Sequence, residues 1–96
     1  MIVCPANKRV DLAAVATNLQ CKKVEMASHS ELEDEVGYPP AGVSPLGLDG
    51  TPVFMDASLF DCPTILIGSG EKGVELELSP SDLRDITGAS IFPLTK

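Results

Sequence analysis

Residues 63–78 constrain the fold more than any other part of the chain, because two strand patterns flank one short glycine-rich turn there. Pro63-Thr64-Ile65-Leu66-Ile67 is a short apolar run rich in β-branched residues, and Val74-Glu75-Leu76-Glu77-Leu78 alternates with the period of two of a half-exposed strand. The six residues between them, Gly68-Ser69-Gly70-Glu71-Lys72-Gly73, hold three glycines. Such a turn reaches positive φ without strain and presents backbone N–H groups. The pattern predicts a β-hairpin. Ser79-Pro80-Ser81-Asp82 follows at once and has the composition of a helix start, with a cap, a proline at the first helical position and an acid in the first turn. Leu83 and Ile86 are expected to face inward, and Gly88 to end the helix.

The N-terminal half carries the same alternation of elements. Met1 to Cys4 is an apolar run closed by Pro5, as suits a buried strand. Leu12, Val15, Ala16 and Leu19 then fall at i, i+3, i+4 and i+7 behind Asp11, which can cap a helix through its carboxylate. Lys22-Lys23-Val24-Glu25-Met26 is predicted as a second strand, completing a strand, helix, strand order. Ser28 with Glu31 makes a capping-box signature, with Leu32 and Val36 as an apolar stripe and Gly37 as the stop. The acidic run Glu31, Glu33, Asp34, Glu35 is the solvated face and dipole-favoured start of that helix. His29, the single histidine, reads as a surface residue beside the cap.

Tyr38-Pro39-Pro40-Ala41-Gly42 cannot continue a helix, since proline lacks the backbone donor and restricts the residue before it. A shaped loop is expected from there through Gly50, followed by a short strand at Val53-Phe54-Met55 that ends at Asp56. No repeat or linker separates these elements, so the chain reads as one domain over residues 1–96, of mixed α and β class.

A chain of 96 residues buries roughly 60–65% of the surface its unfolded form exposes, which leaves a narrow margin of stability and makes self-association plausible. The net charge of −7 argues against broad binding to nucleic acid, which needs a Lys/Arg-rich face. Only Lys8, Arg9, Lys22, Lys23, Lys72, Arg84 and Lys96 are available to form a local basic lip. Cys4, Cys21 and Cys62 are odd in number and show no metal-ligand spacing, so they read as structural thiols in a reducing setting and no metal or cofactor is expected. The apolar start is too short for a signal segment, and no run is long enough to span a bilayer; a cytoplasmic location is the default, with no membrane and no DNA as partners.

Residue chemistry alone leaves the activity open. The Gly68–Gly73 segment has the look of G-x-G-x-x-G but joins two strands instead of a strand and a helix, so the dinucleotide reading fails on context. It remains either an ordinary glycine turn or a backbone cradle for an anion or carbonyl. Ser44 and Ser69 lack an adjacent base held by a third residue. Asp56 and Glu75 have no spacing that pairs them as acid and base.

Several segments, in order, resemble one family. They are residues 2–12, Ala41-Gly42-Val43-Ser44-Pro45-Leu46-Gly47-Leu48, Val53-Phe54-Met55-Asp56-Ala57-Ser58-Leu59, the Gly68–Gly73 turn, Val74-Glu75-Leu76 and Leu78-Ser79-Pro80-Ser81-Asp82-Leu83. Together they look like the YbaK/ProX-type aminoacyl-tRNA editing domain, a deacylase of mischarged tRNA of the Cys-tRNA(Pro) and Ala-tRNA(Pro) kind. The resemblance implies a mixed β-sheet with flanking helices, corresponding to the C-terminal two thirds of the family domain.

It also implies site residues. The family's G-x-x-x-P loop, which shapes the aminoacyl pocket, falls on Ala41, Gly42, Val43, Ser44 and Pro45, with alanine in place of the first glycine. Amino-acid specificity therefore does not transfer from relatives. The glycine-rich pocket wall falls on Gly68, Ser69 and Gly70, and Glu75 matches an acidic substrate-binding position after it. Catalysis in the family is substrate-assisted: backbone groups and a lysine position the ester and a water, and the ribose hydroxyl of the terminal adenosine helps. The partner implied is a tRNA acceptor end carrying its amino acid.

The family lysine aligns ahead of Met1, which leaves three readings open. The chain is a fragment of a longer enzyme, a short form that binds an aminoacyl or nucleotide end without hydrolysing it, or an enzyme in which Lys72 stands in. A purely structural interaction protein is the remaining alternative. Losing the family's first elements would also bare apolar sheet surface, so a homo-oligomer or a partner supplying the missing layer is expected.

Overall fold

The structure is a computed structural model and describes residues 1–28, 30, 31, 34, 37, 43–48 and 50–96. Its elements in chain order are β1 (Ile2–Val3), α1 (Leu12–Asn18), β2 (Phe54–Asp56), a 3-10 helix (Ala57–Asp61), β3 (Ile65–Gly68), β4 (Glu75–Leu78), α2 (Pro80–Thr87) and β5 (Ser90–Phe92).

Local chemistry sets most of the boundaries. Asp11 caps α1 by accepting the Ala14 N–H at 3.2 Å, and Ser79 caps α2 by accepting the Asp82 N–H at 3.1 Å, with Pro80 at the first helical position and Gly88 as the C-cap. The expected Ser28 cap is present too: its hydroxyl accepts the Glu31 N–H at 3.2 Å and donates to the Glu31 carboxylate at 3.0 Å. The apolar positions of that helix, Leu32 and Val36, lie outside the described residues, as do His29, Glu33, Glu35 and the segment 38–42.

The described strands form two sheets, one parallel and one antiparallel. β2 is the centre of a parallel three-stranded sheet, with Ile2 and Val3 of β1 opposite Phe54 and Met55, and β5 on its other side. β3 and β4 form an antiparallel hairpin, in register from Ile65 opposite Leu78 to Gly68 opposite Glu75. Because side chains of opposed residues share a face, Ile65, Ile67, Leu76 and Leu78 line one side, and Leu66, Gly68, Glu75 and Glu77 the other.

Met55, Leu59, Ile67 and Leu83 make the core where β2, the 3-10 helix, the hairpin and α2 meet, and Leu46 packs against it. Met55 and Leu83 are fully enclosed. Each contributes about 1.5–3 kcal/mol through burial.

Two expectations fail. Lys22–Met26 forms no strand: it pairs with none of the described strands, and Lys22, Lys23, Glu25 and Met26 are all exposed, so the segment lacks the buried face that a paired strand needs. Ile86 does not face inward but is 66% exposed, since Leu83 and the buried Pro80 supply the inner face of α2.

Candidate functional site

The 43–48 segment turns sharply on its own hydrogen bonding. Ser44 is buried and its hydroxyl accepts the Leu46 N–H at 3.2 Å, a serine turn that leaves Pro45 buried beside it. Leu46, anchored in the core, fixes the height of this segment over the hairpin. The Ser44 hydroxyl is therefore committed to shaping the loop, and no base stands beside it among the described residues.

Gly68 ends β3 directly beneath that segment. A β-carbon built on Gly68 would overlap the Val43 carbonyl oxygen and lie 2.9 Å from the carbonyl carbon. Only glycine permits this approach, and it brings the Val43-Ser44-Pro45 loop into backbone contact with the glycine-rich turn. Glu75, opposite Gly68 in the ladder, has its side chain on the same face of the hairpin and exposed to solvent.

The turn itself is closed by four bonds. Ser69 N–H donates to the Val74 carbonyl at 3.3 Å and Val74 N–H to the Glu71 carbonyl at 3.1 Å; the Ser69 hydroxyl accepts the Glu71 N–H at 3.2 Å and donates to the Glu71 carbonyl at 3.3 Å. Gly70 and Gly73, at φ +91° and +79°, supply the left-handed positions. The N–H groups of Gly70, Lys72 and Gly73 have no partner among the described residues, so they are free to meet a carbonyl or an anion. Lys72 is exposed at the tip and makes no ion pair among the described residues.

Two cavities flank the 43–48 segment and share Thr51 as a wall. A larger groove of about 570 Å³ runs from Val43 past β1 and α1 to residues 24–27. A smaller cleft of about 190 Å³ lies between Pro45, Gly47 and the C-terminal turn of α2. Of the residues expected to form the site, Gly68 lies against Val43 and the Ser44 nitrogen, Glu75 stands opposite Gly68 in the ladder, and Pro45, Ser69 and Gly70 adjoin them along the chain. Lys72 stands at the tip of its turn, and Ala41 and Gly42 lie outside the described residues. No three of His, Cys, Asp and Glu cluster as metal ligands among the described residues.

Residue spacing gave no hint of Asp56. Its carboxylate is buried and accepts the Leu94 N–H at 2.7 Å, the Thr95 hydroxyl at 3.1 Å, the Ser58 N–H at 3.2 Å and the Ser58 hydroxyl. Burial pushes this carboxyl up, but the bonds from Ser58, Leu94 and Thr95 outweigh it and hold it below the ordinary carboxylate value. The same cluster fastens the chain end over β2 and, through Asp11 N–H to the Leu94 carbonyl at 2.8 Å, positions the start of α1 at the rim of the groove. The Cys4 thiol, also on that groove, is pushed up by burial and then by the Asp56 charge.

A parallel sheet beside an antiparallel hairpin, whose glycine-rich turn meets a serine-proline loop, defines a small domain of mixed α and β class. The chain belongs to the aminoacyl-tRNA editing domain family, which it matches over residues 1–86. It is 30% identical over 94 residues to "Putative Cys-tRNA(Pro)/Cys-tRNA(Cys) deacylase EbsC" of Enterococcus faecalis, covering 97% of this chain and 57% of that protein. The crystal structure of hypothetical protein APE2540 superposes with a TM-score of 0.89 at 26% identity, over 99% of this chain and 65% of that one. A structure described as "a putative trans-editing enzyme for prolyl tRNA synthetase" shares the fold at a TM-score of 0.82 and 24% identity, over 93% of this chain and 57% of that one. The chain therefore spans less than two thirds of each of these proteins.

Proposed function

We propose that this chain edits aminoacyl-tRNA, hydrolysing the ester between a wrongly attached amino acid and the terminal ribose of a tRNA. The observation that carries the reading is the crossing of Gly68 under the Val43 carbonyl, which joins the two loops that the family resemblance assigns to one pocket.

The ester carbonyl lies against the glycine turn, where the free N–H groups of the 70–73 backbone polarise it and stabilise the charge that develops on its oxygen. Water adds to the carbonyl carbon, the bond to the ribose oxygen breaks, and the proton lost by water ends on that oxygen. The neighbouring ribose hydroxyl orients the water. Orientation and fixed dipoles carry this scheme, so it needs neither a nucleophilic side chain nor Lys72. The absence of any base beside Ser44 or Ser69 among the described residues agrees with it.

The same observation favours a second reading, a module that binds the aminoacyl end without turnover. Release of labelled amino acid from mischarged tRNA, run beside binding of a non-hydrolysable amide analogue, separates the two. Release with binding supports editing, binding alone supports the module, and neither overturns both.

We also propose that the chain self-associates or takes a protein partner. Among the described residues β1 pairs only with β2, which leaves a strand edge, and Leu66, Met26 and Ile86 are exposed by 64%, 76% and 66%. Light scattering at high concentration is expected to give more than the monomer mass; a monodisperse monomer contradicts the proposal. The reading is completed by a cytoplasmic setting, in which mischarged tRNA is met; no described helix is long and apolar enough to cross a membrane.

A further inference from the structure

Three of the seven Lys and Arg residues meet at one place. Lys8 and Arg9 come after the carboxyl end of β1, and Lys96 after the carboxyl end of β5. An antiparallel bridge, Val10 opposite Thr95, joins the two segments; Lys96 N–H to the Arg9 carbonyl at 2.9 Å and Asp11 N–H to the Leu94 carbonyl at 2.8 Å flank it. The Asp56 carboxylate fastens the same chain end through the Leu94 N–H and the Thr95 hydroxyl. Cations from the two ends of the sequence are thus held side by side on a scaffold of backbone bonds.

These cations are unopposed. All three are exposed, and none makes an ion pair among the described residues, whereas Lys23 pairs with Glu25 and Arg84 with Asp85, each at 3.2 Å. The carboxylates closest in the chain are engaged: Asp11 accepts the Ala14 N–H, and Asp56 is buried among its hydrogen-bond donors. Lys96, as the last residue of this sequence, brings a carboxylate with its cation, so the surplus of positive charge rests on Lys8 and Arg9. An arginine fork beside a lysine point charge suits a phosphate group.

The patch also has a relation to the junction of Gly68 with Val43. Val10, next in the chain to Arg9, and Val43 both line the larger groove. The charged side chains inside that groove are Glu25 and Glu31, so a phosphate is repelled from its interior and attracted at the rim where Lys8 and Arg9 stand.

Building on the editing reading, we infer that Lys8 and Arg9, with Lys96 beside them, hold one or two backbone phosphates of the tRNA 3′ strand ahead of its terminal adenosine. Such contacts set the position of the strand and carry no sequence information, so they add affinity for any tRNA.

The test is binding of two ligands at several salt concentrations: the amide analogue of aminoacyl-tRNA and the corresponding 3′-aminoacylamino-3′-deoxyadenosine, which has no phosphate. The native chain is compared with K8A/R9A and K22A/K23A, each of which removes two positive charges from exposed side chains, so a general effect of charge moves both alike. K8A/R9A is expected to bind the tRNA analogue roughly three- to tenfold more weakly. Its plot of log K against log salt should be shallower by about 0.7 or more, the share of one phosphate. It should bind the adenosine analogue as the native chain does, with native circular dichroism; K8Q/R9Q, which keeps side-chain length, should behave the same. K22A/K23A is expected to match the native chain with both ligands. Equal losses in K8A/R9A and K22A/K23A, or a native slope in K8A/R9A, overturn the inference and leave editing standing as long as the native chain releases amino acid. Saturable binding of inorganic phosphate alone that K8A/R9A loses, with the tRNA slope unchanged, makes the patch a free-anion site and also overturns it. Failure of the native chain to bind either analogue, together with no release of amino acid from mischarged tRNA, overturns the editing reading and the inference with it.

Discussion

Gly68 and Val43 are 25 positions apart in sequence, yet the backbone of one lies so close to the carbonyl of the other that a β-carbon at 68 would come within 2.9 Å of the Val43 carbonyl carbon. Neither neighbour can give way cheaply, because Leu46 is held in the core and Gly68 is held in the ladder opposite Glu75. Gly68→Ala is expected to cost about 1–3 kcal/mol in urea denaturation, the cost of overpacking, and to part the two loops. An unchanged midpoint would show that the loops separate freely.

Asp56 predicts an acid-sensitive fold. Its folded-state value lies below its unfolded value of about 3.9. The stabilisation it contributes is therefore complete above about pH 4 and is lost as pH falls through the lower folded value. Asp56→Asn weakens bonds to Leu94, Thr95 and Ser58 and is expected to destabilise by about 1.5–3 kcal/mol at neutral pH. The stability difference between the two proteins should shrink below pH 4; a constant difference would contradict this account.

The three cysteines should react in a fixed order. Cys21 and Cys62 are exposed, whereas Cys4 is partly buried and its thiol is held in the neutral form by burial and by Asp56. Alkylation followed by mass spectrometry at pH 7.5 is expected to modify Cys21 and Cys62 first. Cys4 should react faster in folded Asp56→Asn, since one cause of its raised value is then gone.

Binding of tRNA should depend only weakly on salt. With a net charge of −7 and few cations near the junction, one or two phosphate contacts are expected. The plot of log K against log salt then has a slope near −0.7 to −1.4 for a single-stranded end. A slope steeper than about −4 would mean a basic face that this account does not contain.

The elements legible in the sequence are those set by neighbours along the chain. The Ile65–Leu78 hairpin follows from two strand patterns around one short glycine-rich turn, and the Asp11 cap and the Ser79-Pro80 start follow from residues within four positions of one another. β5 was missed because Ser90–Phe92 is three residues long, too short to show a period, and exists as a strand only through Phe54–Asp56. Lys22–Met26 failed for the converse reason: its composition suits a strand, but it pairs with none of the described strands and stays largely exposed. The Asp56 cluster joins residues 38 and 39 positions apart, which no local rule registers. The candidate site was legible as two separate loops, and only the Leu46 anchor and the missing side chain at 68 bring them together.

Lys72 is exposed, and Lys72→Ala should change stability by less than about 0.5 kcal/mol. It thus serves as the control for the central claim, that the junction of Gly68 with Val43 carries editing. The decisive measurement is release of labelled amino acid from Cys-tRNA(Pro) and Ala-tRNA(Pro) by the native chain, by Lys72→Ala and by Gly68→Ala, each confirmed folded at the assay temperature. The account predicts release by the native chain and by Lys72→Ala, and at least a tenfold loss, about 1.4 kcal/mol of barrier, in Gly68→Ala. Equal release by Gly68→Ala, or no release by any of the three, would contradict it.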